Sequence, residues 1–251
     1  MPNWQRLMHS EILLVAARNR LPRIQSRGGI TARCTARDTV YLVSAAANPL
    51  GGDIVDIRVV VEQGARLRLR SAAGTVALPG AETPVSQAHW DIEVTGNLDV
   101  DLEPTVVAAA ARHLSTVALR LHEGCEIRFR ERVQIGRYGE SEGFWMGSLR
   151  ADRNGLPMLR HRVELGAGSL ADDVIAAPRA TINELRYPAT LFSDGMPSTS
   201  TILTLADGGT LITWQGDRLP VSLPAEPPGG APRPPVPPAA RDGCARMPAA
   251  R

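Results

Sequence analysis

Five histidines, three cysteines and 26 carboxylates are the side chains from which this chain could build a metal or acid–base centre. Their spacing builds none locally. His9, His89, His113, His122 and His161 form no HxH, HxxxH or HExxH, and Cys34, Cys125 and Cys244 form no CxxC, so the three or four converging ligands of a stable site are missing from the primary structure. A transient path for a cation needs less, only scattered carboxylates and water, and Asp53, Asp99, Asp101, Glu103 and Glu142 are available for one. Hydrolytic chemistry has no GxSxG elbow, and the Asp99/Asp101 pair reads as a solvated strand face. The 251 residues include no lysine, which excludes a Walker-type phosphate loop and any Schiff-base mechanism.

The densest functional stretch is instead ERVQIGRYGESEGFWMGSL, from Glu131 to Leu149. It places Arg137, Glu140 and Glu142 beside Tyr138, Phe144 and Trp145 on a glycine-punctuated connection between two apolar-rich runs. The chain holds only ten aromatic residues in all. Charge and aromatic side chain gathered on a connection predict a docking surface.

The elements that must carry these residues have a period of two. DIRVVV from Asp56, ARLRLR from Ala65, HWDIEV from His89, LDVDL from Leu98, TVALRL from Thr116, EIRFRERV from Glu126 and LRHRVEL from Leu159 alternate apolar with charged or polar. Such runs are half-buried strands. Gln63-Gly64, Gly96-Asn97, Glu123-Gly124 and Asn154-Gly155 separate them, the last being the strongest hairpin signal. The expected architecture is mainly β, with layered, sandwich-like sheets or a helically coiled, β-helix-like stack, and few short helices. Residues 105–114 (TVVAAAARHL) read as a short helix or an irregular loop, and 171–178 as one helical turn. Residues 1–214 are expected to form a single domain and 215–251 a disordered, proline-rich tail.

Composition narrows the setting. A net charge of +2 gives no field for nucleic acid or an anionic membrane, and no apolar run approaches the roughly 20 residues that span a bilayer. The first eleven residues lack the basic-then-apolar order of a signal peptide, so the expected compartment is the cytoplasm. A small β-sandwich hydrolase or carbohydrate-binding module is the rival reading.

Four elements in order resemble the urease accessory protein family of the UreD/UreH type, in its short actinobacterial form. They are Pro49-Leu-Gly-Gly-Asp53 with the strands up to Ser71-Ala-Ala-Gly74, the hinge Gly136-Arg137 with Glu142 and Phe144, the hairpin Asn154-Gly155-Leu-Pro-Met-Leu159, and Tyr187-Pro188-Ala189-Thr190. Ser141 stands where that family usually has glycine before the motif glutamate, and 103–111 replaces an aromatic segment. The resemblance implies a non-enzymatic chaperone for nickel insertion into apo-urease. It would handle nickel transiently without a stably bound cofactor, and bridge urease to a second accessory protein of the UreF type and a nickel-carrying GTPase of the UreG type. Asp53 and Glu142 carry over by motif as candidates for the nickel path. Asp53, Glu103, Arg137, Tyr138, Glu142, Phe144 and Trp145 are the candidate contact or conduit residues.

Overall fold

Alternating sequence produces a two-sheet coil. The computed structural model describes residues 8–44, 49–170, 172, 177–189 and 195–220. Seventeen strands, and no helix, occur among the described residues. The chain opens with β1 (His9–Ala16), β2 (Arg23–Arg27), β3 (Ile30–Ala36) and β4 (Thr39–Ser44). It then alternates between two sheets. β5 (Ile54–Val61), β8 (Val85–Val94), β11 (Arg112–Leu121) and β13 (Phe144–Arg153) lie in the first sheet. β6 (Arg66–Ser71), β9 (Asn97–Asp101) and β12 (Glu126–Ile135) lie in the second. Short β7 (Thr75–Ala77) and β10 (Thr105–Val107) pair in parallel beside the second sheet's path. β14 (Leu156–Gly166) closes the first sheet, and β15 (Ala180–Tyr187), β16 (Thr201–Thr204) and β17 (Thr210–Gly216) extend the second.

Stacked turns of the coil pair in parallel, which the sequence spacing left undecided against a sandwich. Ile57, Trp90, Val117 and Leu149 sit side by side on β5, β8, β11 and β13, and Leu67, Leu98 and Ile127 do so on β6, β9 and β12. Each such row buries one apolar side chain per turn, so the period of two on each strand becomes a continuous core between the sheets. Trp90 meets Phe129 edge to face across that core, with ring centroids 6.3 Å apart.

Two expectations are corrected. Residues 105–114 are not a helix, and only their middle is irregular: they form β10, a turn at 108–111, and the start of β11. The alanines, despite their helix propensity, make the turn, with Ala110 at φ +61° and the Ala111 N–H donating to the Ala108 carbonyl at 3.1 Å, while parallel pairing fixes β10 before it and β11 after it. The expected short helices are absent among the described residues. The helical turn expected at 171–178 falls largely outside those residues, as does the tail beyond Pro220; β17 itself runs past the expected boundary at 214. The Asn154-Gly155 hairpin joins β13 to β14 as expected, with both residues at positive φ, +48° and +81°.

Candidate functional site

The 136–143 connection lies on the edge where the chain passes from the second sheet back to the first. Glu140 shapes it. One of its carboxylate oxygens accepts the backbone N–H of Arg137 and of Ala109, each at 3.0 Å, and the other accepts from the Arg137 guanidinium at 2.8 and 2.5 Å. Hydrogen bonding from Arg137, joined by the two backbone donors, holds the Glu140 carboxyl down to about 2. The loop is thereby tied both to itself and to the preceding turn of the coil. Tyr138 stands at its tip, 96% exposed, and Glu142 is also exposed.

Phe144 and Trp145 are not part of that surface. They begin β13, and they are 7% and 1% exposed. Trp145 packs with Val107, Val133, Ile135, Val163 and Leu165 in the smaller of two apolar clusters, and its ring lies so close over Gly147 that a Cβ there would come within 2.2 Å of Cη2. Phe144 is stacked by the Arg112 guanidinium, 3.9 Å from the ring centroid. Adjacency in sequence put these aromatics beside Tyr138; the strand turns them inward.

Asp53 is buried, 5% exposed, and its two oxygens accept the backbone N–H groups of Met8 at 2.9 Å and Leu50 at 2.8 Å. It caps the turn entering β5. Asp53 precedes β5 and Glu142 precedes β13, with β8 and β11 between, so three strand spacings of about 4.8 Å separate their positions and the two cannot share one ion. Asp99 and Asp101 are held by Arg70, Arg128 and Arg132 on the outer face of the second sheet. Glu103 is exposed, and its backbone N–H donates to Ser71 Oγ at 2.9 Å. Among the described residues no three His, Cys, Asp or Glu side chains gather as metal ligands.

The structure brings together a group that the sequence reading missed. The apolar interior is two clusters, and the boundary between them is polar: Ser115 on β11, Glu131 on β12, Gly147 on β13 and Asn183 on β15. Glu131 pairs directly with Asn183 across the strands. Ser115 Oγ donates to Glu131 Oε1 at 2.9 Å; Oε2 has no hydrogen-bond partner among the described residues. Ser86 Oγ and His113 Nδ1 are 3.0 Å apart. Thr213 donates to Asn183 Oδ1 at 2.8 Å, and His161 Nε2 lies 3.3 Å from the same oxygen. Burial pushes the Glu131 carboxyl up to about 7 and the His113 imidazole down to about 4, so each is favoured in its neutral form. Burial also lowers His161, against its bond to Asn183.

His113, Ser115 and Glu131 of this group line a cavity of about 210 Å³ between the sheets, walled by Trp90, Phe129 and Trp145, with Glu103 also among its lining residues. A signal for Glu131 was present in the sequence. It holds the inward parity of Ile127, Phe129, Val133 and Ile135, so a carboxylate stands on the apolar face of its strand.

Comparison with known proteins gives this arrangement its family. A model of the UreD urease accessory protein matches residues 30–204, most of the two-sheet coil. The chain belongs to the UreD urease accessory protein family. It is 42% identical over 147 residues to urease accessory protein UreD 1 of Saccharopolyspora erythraea, covering 58% of each chain. Against UreD of Frankia alni it is 44% identical over 116 residues, 45% of this chain and 39% of that one. Against UreD of Streptomyces coelicolor it is 32% identical over 157 residues, 59% of this chain and 61% of that one. The matches thus span between about two fifths and three fifths of these UreD relatives.

Proposed function

We propose that this UreD-family chain is a non-catalytic scaffold for nickel insertion into apo-urease, working with a second accessory protein of the UreF type and a nickel-carrying GTPase of the UreG type. The observation that carries the reading is the UreD family match over residues 30–204. The geometry supports it in two ways. The Glu140-stapled loop presents Tyr138 and Glu142 on a fixed backbone, which lowers the ordering cost of docking. The space of about 210 Å³ between the sheets has Glu103 and Glu131 among its lining residues, two carboxylates that a cargo cation could meet. Nickel is cargo here, and no resident cofactor enters the reading.

The test is urease matured in cells with and without this chain, with nickel counted per purified urease active site. Nickel-poor urease in its absence is the expected result, together with co-elution of the chain with apo-urease and a weaker complex for Tyr138→Ala. Full nickel loading in the absence of the chain overturns the reading.

A further inference from the structure

Packing between the sheets is incomplete at β8. Trp90 points inward between Ile57 and Val117, which are 4% and 1% exposed, yet Trp90 is only partly buried, as is inward-facing Ala88 two residues before it. Both line the cavity of about 210 Å³. Exposed Ala72, Gly74 and Glu103 line it too, so it opens to solvent at the turns that follow β6 and β9.

Two polar atoms on its walls have no hydrogen-bond partner among the described residues. Ser115 engages only Oε1 of Glu131, leaving Oε2, and Ser86 engages only Nδ1 of His113, leaving Nε2. Both side chains line the cavity, and His113 is buried. Burial favours the uncharged form of each. Trp90, Phe129 and Trp145 supply an aromatic wall. Size restricts what can enter. An apolar cavity of about 150 Å³ holds benzene, and pockets for drug-sized ligands begin at about 300 Å³. A space of about 210 Å³ therefore takes one ring with a substituent of a few atoms, and neither a nucleotide nor a peptide segment.

We propose that this cavity is a binding site for a small uncharged aromatic amide, its ring against Trp90, Phe129 and Trp145 and its carboxamide against Glu131 and His113. A carboxamide carries a carbonyl acceptor and N–H donors, so it can answer both unpartnered atoms in either tautomer of His113. A ligand carboxylate would bring its charge against Glu131 and Glu103. A cation must displace the Glu131 proton, as the cargo cation of the scaffold reading would; an uncharged ring need not. The competing occupant is water, which fills polar cavities that lack a ligand. The site goes beyond the scaffold reading and does not rest on it, because binding is a property of this chain alone.

The experiment titrates the full chain with benzamide, and with toluene, benzoate and benzamidinium as arms of similar size, reading the heat of binding and the indole N–H resonances of the tryptophans. We expect benzamide to bind roughly tenfold or more tighter than each of the other three, about the worth of one hydrogen bond made to an otherwise unpartnered group. It should shift Trp90 and Trp145 and leave Trp214, which lines a different groove, unmoved. Ala88→Leu fills the space from its wall and should weaken benzamide binding by roughly tenfold or more without lowering the melting temperature. If that variant does not fold, the selectivity and the tryptophan shifts of the parent still decide. Benzamide that leaves Trp90 and Trp145 unmoved up to its solubility limit means that the cavity holds water only, and overturns the site. Toluene bound as tightly as benzamide overturns the role of Glu131 and His113, and benzoate or benzamidinium bound more tightly overturns the uncharged class. A folded Ala88→Leu that binds benzamide as the parent does puts the ligand elsewhere and overturns the site. All of these outcomes leave the scaffold reading to its own test, nickel loading of urease.

Discussion

Glu131→Gln should make this protein more stable at neutral pH, and the size of the effect follows from the interior. The carboxyl's ordinary value near 4.5 rises to about 7 in the folded chain because it is enclosed. Between those values the folded state keeps a proton that the unfolded state has lost, so this group's contribution to stability falls as pH rises through the window. At about 1.4 kcal/mol per pH unit, the loss amounts to about 3 kcal/mol. His113 works in the opposite direction: buried neutral, it drops from 6.5 to about 4, so its contribution is lost as pH falls from 6.5 toward 4, again by about 3 kcal/mol. From pH 4.5 to 6.5 the two slopes nearly cancel in the parent. Glutamine cannot ionise and can still accept from Ser115, so it removes the falling limb and exposes the rising one. Urea unfolding at constant ionic strength, from pH 4.5 to 7.5, should show variant and parent close together at the acid end and the variant about 3 kcal/mol more stable at pH 7.5. Curves that stay parallel across the range would refute the enclosed, neutral Glu131.

Three further perturbations test other parts of the structure. Gly147→Ala should destabilise by about 1–3 kcal/mol, read by urea unfolding, because the new methyl meets the Trp145 ring at 2.2 Å. Glu140→Ala removes the acceptor for two backbone N–H groups in the 136–143 loop and its neighbour; faster amide exchange at 109 and 137 is expected, with little change in melting temperature. Asp53→Ala should lower stability by about 1–3 kcal/mol, since it orphans the N–H groups of Met8 and Leu50. Nickel delivery by that variant, assayed below its melting temperature, should be unchanged, and a loss there would return Asp53 to the nickel path.

Several readings were legible because they depend on near neighbours. Alternation along β5, β6, β8, β9 and β12 marked the strands, and Asn154-Gly155 marked its hairpin, since both residues reach positive φ at low cost. The hinge at 136–143 was visible as glycine and charge between two apolar runs. Other assignments needed partners distant in sequence. Ala-rich 105–114 favours helix by itself, yet its alanines form a turn between two strands, which parallel partners distant in sequence hold on either side. Trp145 looked like a surface aromatic until β13 paired with β11 and turned it into the core. Asp53 looked like a ligand until the backbone donors of Met8 and Leu50 closed on it.

The sequence by itself determined that the chain is β, where its turns fall, and which family it resembles, because these follow from residue order, local backbone preference and short motifs. Only the tertiary structure decided that the strands coil in parallel and that Ser115, Glu131 and Asn183 meet in one polar waist. It also decided that β16 ends its sheet with all four residues exposed. Those outcomes depend on which strands become neighbours, and a period of two is the same whichever neighbour a strand finds.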